Sequence, residues 1–132
     1  PGHNEASIAL YDRRTGNLMT GDSLYPGLLS VGQPELATFT DSMHRLGDFA
    51  REHPVAHVLG THIEQKNLPY LDYGRGTVYQ PDEAALELTR AHIFELEDAF
   101  VSLKGTLKDV AMPDFTIVER GKATAYPTAA AK

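Results

Sequence analysis

The chain has 132 residues, 42% hydrophobic and 23% charged, a balance that suits one soluble domain able to bury its own core. Its net charge of -6, with no block of Lys and Arg, argues against nucleic-acid binding, which needs clustered cations facing phosphate. No apolar run is long enough to span a bilayer, and the absence of Cys excludes disulfides, thiolate zinc sites and thiol nucleophiles together. Any metal site must therefore use His and carboxylate. A Cys-free chain suits either redox environment, so the compartment stays open, with the cytoplasm favoured for a soluble protein.

Pro1-Gly2-His3 sets an imidazole at the head of the chain. Ser7 to Asp12 reads as a strand, Arg13-Arg14-Thr15-Gly16 as a turn and Asn17 to Thr20 as the returning strand of a hairpin. Gly21 to Gly32, broken by Pro26 and Gly27, reads as a long loop. Pro34 suits a first helical position, and Leu36, Phe39, Met43, Leu46 and Phe49 step by three and four along one face of a helix ending near Glu52. Val55 to Leu59 is a short apolar strand that delivers Gly60-Thr61-His62 at its C-terminal end.

Glu64 to Gln80 is a polar loop containing Tyr and Gly, long enough to suggest function. A second helix is expected from Pro81-Asp82-Glu83, with Leu86, Ile93, Leu96, Phe100 and Leu103 as its apolar stripe and Gly105 as its C-cap. Phe115 to Val118 is a last strand, and Ala123 to Lys132 reads as a frayed tail. His57, inside an apolar strand, reads as a core residue, and His44, His53 and His92 as helix-surface or helix-end residues.

Three short segments carry the chemistry: Pro1-Gly2-His3, Thr20-Gly21-Asp22 and Gly60-Thr61-His62. Each sets a His or Asp where an apolar strand meets a Gly-containing loop. Imidazole and carboxylate are ligands for zinc and related ions. Taken singly, His3 reads as a surface histidine, Asp22 as a turn former and His62 as a strand-end residue. Glu64 reads either as a carboxylate holding a ligand imidazole or as an exposed loop residue.

Together with their flanks, Pro1-Gly2-His3-Asn4-Glu5-Ala6, Thr20-Gly21-Asp22-Ser23-Leu24-Tyr25-Pro26-Gly27 and Val58-Leu59-Gly60-Thr61-His62 resemble the metallo-β-lactamase-fold hydrolases. The order of a Gly-His segment, a Gly-Asp segment and a late His after a strand is that family's order. The resemblance covers roughly residues 1 to 120. It implies His3 as a ligand of one metal, Asp22 as the carboxylate bridging two, and His62 as a ligand of the second. The family's His-x-His-x-Asp-His segment is absent, and its Thr-Pro-Gly after the first His is replaced by Asn4-Glu5-Ala6.

The resemblance therefore implies an α/β fold: the C-terminal half of an αββα sandwich, with one mixed sheet and two main helices over residues 1–120. Residues 121–132 would form a flexible tail. It further implies two zinc ions in the complete protein, with Asp22 the one catalytic residue this chain supplies and metal-held hydroxide attacking an ester, thioester, lactone or lactam carbonyl. The expected partners are a small-molecule substrate and either an N-terminal half or a second copy of the chain. Neither nucleic acid nor membrane is expected. The chain alone would be inactive. The alternative is a non-catalytic binding or assembly module built on the same half-fold.

Overall fold

A computed structural model describes residues 1–74 and 76–121. In chain order the strands and helices are β1 (Leu10–Asp12), β2 (Asn17–Gly21), β3 (Leu28–Val31), α1 (Leu36–Glu52), β4 (His57–Gly60), β5 (Glu87–Leu88), α2 (Arg90–Ser102), β6 (Val110–Ala111) and β7 (Thr116–Glu119). The fold is of the α/β class with two main helices, as expected. Its strands form two sheets, however, where one mixed sheet was expected. One sheet has the order β1-β2-β4-β5, and the other has the order β3-β7-β6.

The second sheet exists because Leu28-Leu29-Ser30-Val31 is a strand rather than part of a loop. Its four residues pair in parallel with β7, Leu28 opposite Thr116 and Val31 opposite Glu119. Between Pro26-Gly27 and Gly32, so short an apolar run carries no periodicity that separates strand from buried loop. The second helix also begins later than expected. Glu87 and Leu88 are extended and pair with Leu59 and Val58, so strand pairing overrides the helical stripe through Leu86. The helix starts after Thr89, whose N–H donates to His92 Nδ1 at 2.9 Å, a capping arrangement with His in place of the usual acid. It ends at Ser102 with Leu103 as its cap, and Gly105 lies two residues beyond.

Alternation sets the two faces of the first sheet. Leu18, Val58 and Leu88 are buried and join the core with Phe39 and Met43 of α1 and Ile93, Leu96 and Phe100 of α2. Phe39 and Phe100 stack at 4.6 Å between centroids, tying the helices together. The opposite face carries Leu10 opposite Met19, and both are exposed. His57 lies on this outer face opposite Asn17 and is exposed, so it is not the core residue its apolar neighbours suggested. Among the described residues no helix is long and apolar enough to cross a membrane. The tail expected over Ala123 to Lys132 lies outside the described residues.

Candidate metal centre

Strands β2 and β4 run parallel, so their C-terminal ends lie side by side. Asp22 follows one and His62 the other, and sites commonly gather at such strand ends. The pairing skips at Thr20: Met19 lies opposite Leu59, yet Gly21 lies opposite Gly60. This bulge, followed by Gly21 at φ +58, turns Asp22 out of the strand toward the second sheet. The Thr20 hydroxyl holds the turn by donating to the Leu24 carbonyl at 2.7 Å.

His3 arrives from the other side. Gly2 is packed so closely on Phe39 that a Cβ would lie 2.5 Å from the ring, at a φ of +134. His3 then lies beside β3, where its Nδ1–H donates to the Ser30 carbonyl at 3.3 Å. Arg120, beyond the end of β7, donates to the His3 carbonyl at 2.9 Å. The candidate site therefore sits where the two sheets meet.

The three expected residues come together there. Asp22 Oδ2 lies 3.4 Å from His3 Nε2, and Asp22 Oδ1 lies 3.1 Å from His62 Nε2. Each imidazole faces a different carboxylate oxygen. The Thr61 hydroxyl also donates to Asp22 Oδ1. Glu64 Oε1 is 3.8 Å from His62 Nδ1, while its Oε2 accepts the Leu28 N–H at 3.0 Å. Tyr25 sets its ring 5.2 Å from the His62 ring and donates its hydroxyl to the Leu28 carbonyl. A cleft of about 230 Å³ opens here between His3, His62, Tyr25, Ser30, Glu64 and Gly76.

The donor chemistry of this cluster bears on whether a cation fits. A carbonyl only accepts, so the bond to Ser30 fixes the proton of a neutral His3 on Nδ1. Nε2 then presents a lone pair to a carboxylate oxygen, two acceptors face to face. Tetrahedral zinc with bonds of about 2.0–2.2 Å sets neighbouring ligand atoms roughly 3.3–3.6 Å apart. The 3.4 Å separation falls within that range, and the 3.1 Å separation lies below it, at the distance of a direct imidazole–carboxylate hydrogen bond. Among the described residues no group of three or more His, Cys, Asp and Glu side chains is arranged to hold an ion alone. What the described residues offer is one carboxylate set between two imidazoles, each imidazole facing its own oxygen.

His44, His53, His57 and His92 stay apart from it. His44 Nδ1 donates to Glu97 Oε1 at 2.8 Å, His53 stacks on Phe49, and His92 Nε2 donates to Asp114 Oδ2 at 3.0 Å. Sequence reasoning missed Ser30, Thr61 and Arg120 as anchors of the cluster. Only Thr61, adjoining His62, carried a signal that could have singled it out.

No family model, no curated protein and no solved structure matches the chain.

Proposed function

We propose that this chain supplies one side of a dinuclear zinc centre of the metallo-β-lactamase type, and that the complete centre hydrolyses a carbonyl substrate. The observation that carries this reading is the Asp22 carboxylate, each oxygen of which meets the Nε2 of a different imidazole at 3.4 and 3.1 Å. His3 and Asp22 would hold one ion, and His62 and Asp22 the other. Bound zinc acts as a Lewis acid and lowers the pKa of a water to near neutrality, which suits attack on an ester, thioester, lactone or lactam.

This chain's own residues do the positioning. Ser30 fixes the His3 tautomer, leaving Nε2 free to ligate. Glu64 lies on the Nδ1 side of His62 and is itself held by the Leu28 amide. Thr61 orients Asp22. Tyr25, Ser30 and Gly76 bound the space a small substrate would enter. The remaining ligands would come from a segment outside these residues or from another chain.

Zinc uptake measured by equilibrium dialysis and elemental mass spectrometry tests the proposal. Uptake should be weak in this chain, since two protein ligands hold each ion poorly, and should fall further in His3→Ala, Asp22→Ala and His62→Ala. Unchanged uptake in all three variants would remove the site.

A second reading, a non-catalytic assembly module, is favoured by the outer face of the first sheet. Leu10 and Met19 are exposed there at 54% and 38%. A partner polypeptide or a second copy packing on that face would bury them.

A further inference from the structure

The loop between β4 and β5 contains one pairing that is chemically incomplete. Gln65 and Asp72 lie opposite each other in an isolated antiparallel bridge. The flanking residues make its hydrogen bonds: the Lys66 N–H donates to the Leu71 carbonyl at 2.7 Å and the Tyr73 N–H to the Glu64 carbonyl at 2.6 Å. Gln65 and Asp72 are thus a non-hydrogen-bonded pair, the kind that brings opposed side chains closest and on one face.

Both side chains reach the β6–β7 hairpin, Gln65 at its turn and Asp72 at the start of β7. Gln65 Nε2 donates to the Pro113 carbonyl, and Asp72 Oδ2 accepts from the Thr116 hydroxyl at 3.3 Å. The other two oxygens, Gln65 Oε1 and Asp72 Oδ1, are buried and have no partner among the described residues. Reversing the Gln65 amide gives no relief, because only its nitrogen can donate to Pro113. Gln65 is 2% exposed, so bulk water does not reach it.

Charge sharpens the problem. Among the described residues Asp72 makes no ion pair. Lys66 sets its Nζ over the Tyr73 ring at 4.8 Å. From the loop itself Glu64 presents a like charge. From the facing hairpin come the neutral Thr116 and Asp114, whose carboxylate is engaged by His92. A bridging water would satisfy both oxygens but leave a half-buried charge uncompensated. A proton answers both needs.

We propose that Asp72, in its protonated form, donates from Oδ1 to Gln65 Oε1, latching the loop that begins at His62 and Glu64 to the β6–β7 hairpin, and that the latch is lost as rising pH removes the proton. Burial pushes the Asp72 carboxyl up; the Thr116 hydrogen bond opposes this in part, and Glu64 adds to the rise. The folded group therefore titrates above its ordinary 3.8. Its stabilising effect is complete below that value and is lost as pH rises through the folded one. The latch does not depend on metal binding.

Carbon-13 NMR of the Asp72 carboxyl across pH, with amide exchange of Tyr73 corrected for intrinsic base catalysis, tests it. The carboxyl should titrate above 3.8, and Tyr73 protection should fall through the same midpoint. Asp72→Asn, whose amide can donate to Gln65 without a titrating proton, should keep protection at all pH values. A wild-type Asp72 that titrates at or below 3.8 would overturn the latch, and that measurement needs no variant to fold.

Discussion

His3 turns its Nε2 toward Asp22 at 3.4 Å while its Nδ1–H is committed to the Ser30 carbonyl. The Ser30 bond decides which nitrogen is left to ligate, so His3 can supply a lone pair without changing tautomer. The bond is made to main chain, so the Ser30 side chain is dispensable. Ser30→Ala should leave zinc uptake within about twofold of wild type, whereas His3→Gln should abolish the His3 contribution. Competition with a zinc-sensitive dye would measure both.

Gly60 ends β4 immediately before Thr61 and His62. A Cβ there would collide with Tyr25 and lie 2.7 Å from the Leu24 carbonyl, which is backbone and cannot swing aside. Gly60→Ala should cost about 1–3 kcal/mol as an overpacking change, and it should displace Tyr25 from the His62 ring. Calorimetry would read the stability loss. Loss of the ring-current shift on His62 would report the displacement. A neutral outcome in both would mean the strand end yields more readily than its contacts allow.

Glu97 clasps the two helices. It is buried, accepts Arg51 Nη2–H at 2.6 Å and His44 Nδ1–H at 2.8 Å, and faces Gly47, where a Cβ would lie 2.5 Å from its oxygen. Burial pushes its carboxyl up, but the Arg51 and His44 hydrogen bonds outweigh that and hold it below the ordinary 4.5. A depressed group contributes stability above its unfolded pKa and loses it as pH falls through the folded value. Glu97→Gln should cost about 1.5–3 kcal/mol at neutral pH, the range for hydrogen bonds to charged groups, and the difference from wild type should shrink in acid. Thermal unfolding at neutral pH and near pH 3 would show it.

The exposed pair Leu10 and Met19, opposed across the β1–β2 hairpin, bears on the assembly reading. If this face packs on a second copy, sedimentation velocity should show concentration-dependent association, and Leu10→Lys with Met19→Lys should abolish it while leaving the Tm within a few degrees. A chain that stays monomeric at high concentration, with Leu10→Lys unchanged in dye binding, would count against self-packing.

What the sequence disclosed, and what it withheld, follows physical lines. Helix α1 was legible because Leu36, Phe39 and Met43 repeat at helical spacing and end up buried together. The hairpin and β4 were legible from short apolar runs bounded by turn residues. The second sheet was not, because β3 is only four residues long and its partner β7 lies far along the chain. The start of α2 was misplaced because the stripe through Leu86 looks helical, while the deciding facts are the pairing of Leu88 with Val58 and the Thr89 cap. His3, Asp22 and His62 could be named from their strand-end positions. Their mutual contact depends on the parallel pairing of β2 with β4 and on the bulge at Thr20, and neither is written in local sequence.

The central claim is that His3 and His62 ligate through Nε2 on either side of Asp22. Long-range proton–nitrogen correlation spectra of the imidazoles, recorded as zinc is raised into the millimolar range, test it most directly. Nε2 of His3 and His62 should move together toward metal-bound values, with the His3 proton retained on Nδ1, while His44, His53, His57 and His92 stay in place, and Asp22→Asn should suppress the change. Imidazoles of His3 and His62 that do not respond to zinc, or that respond equally in Asp22→Asn, would contradict it.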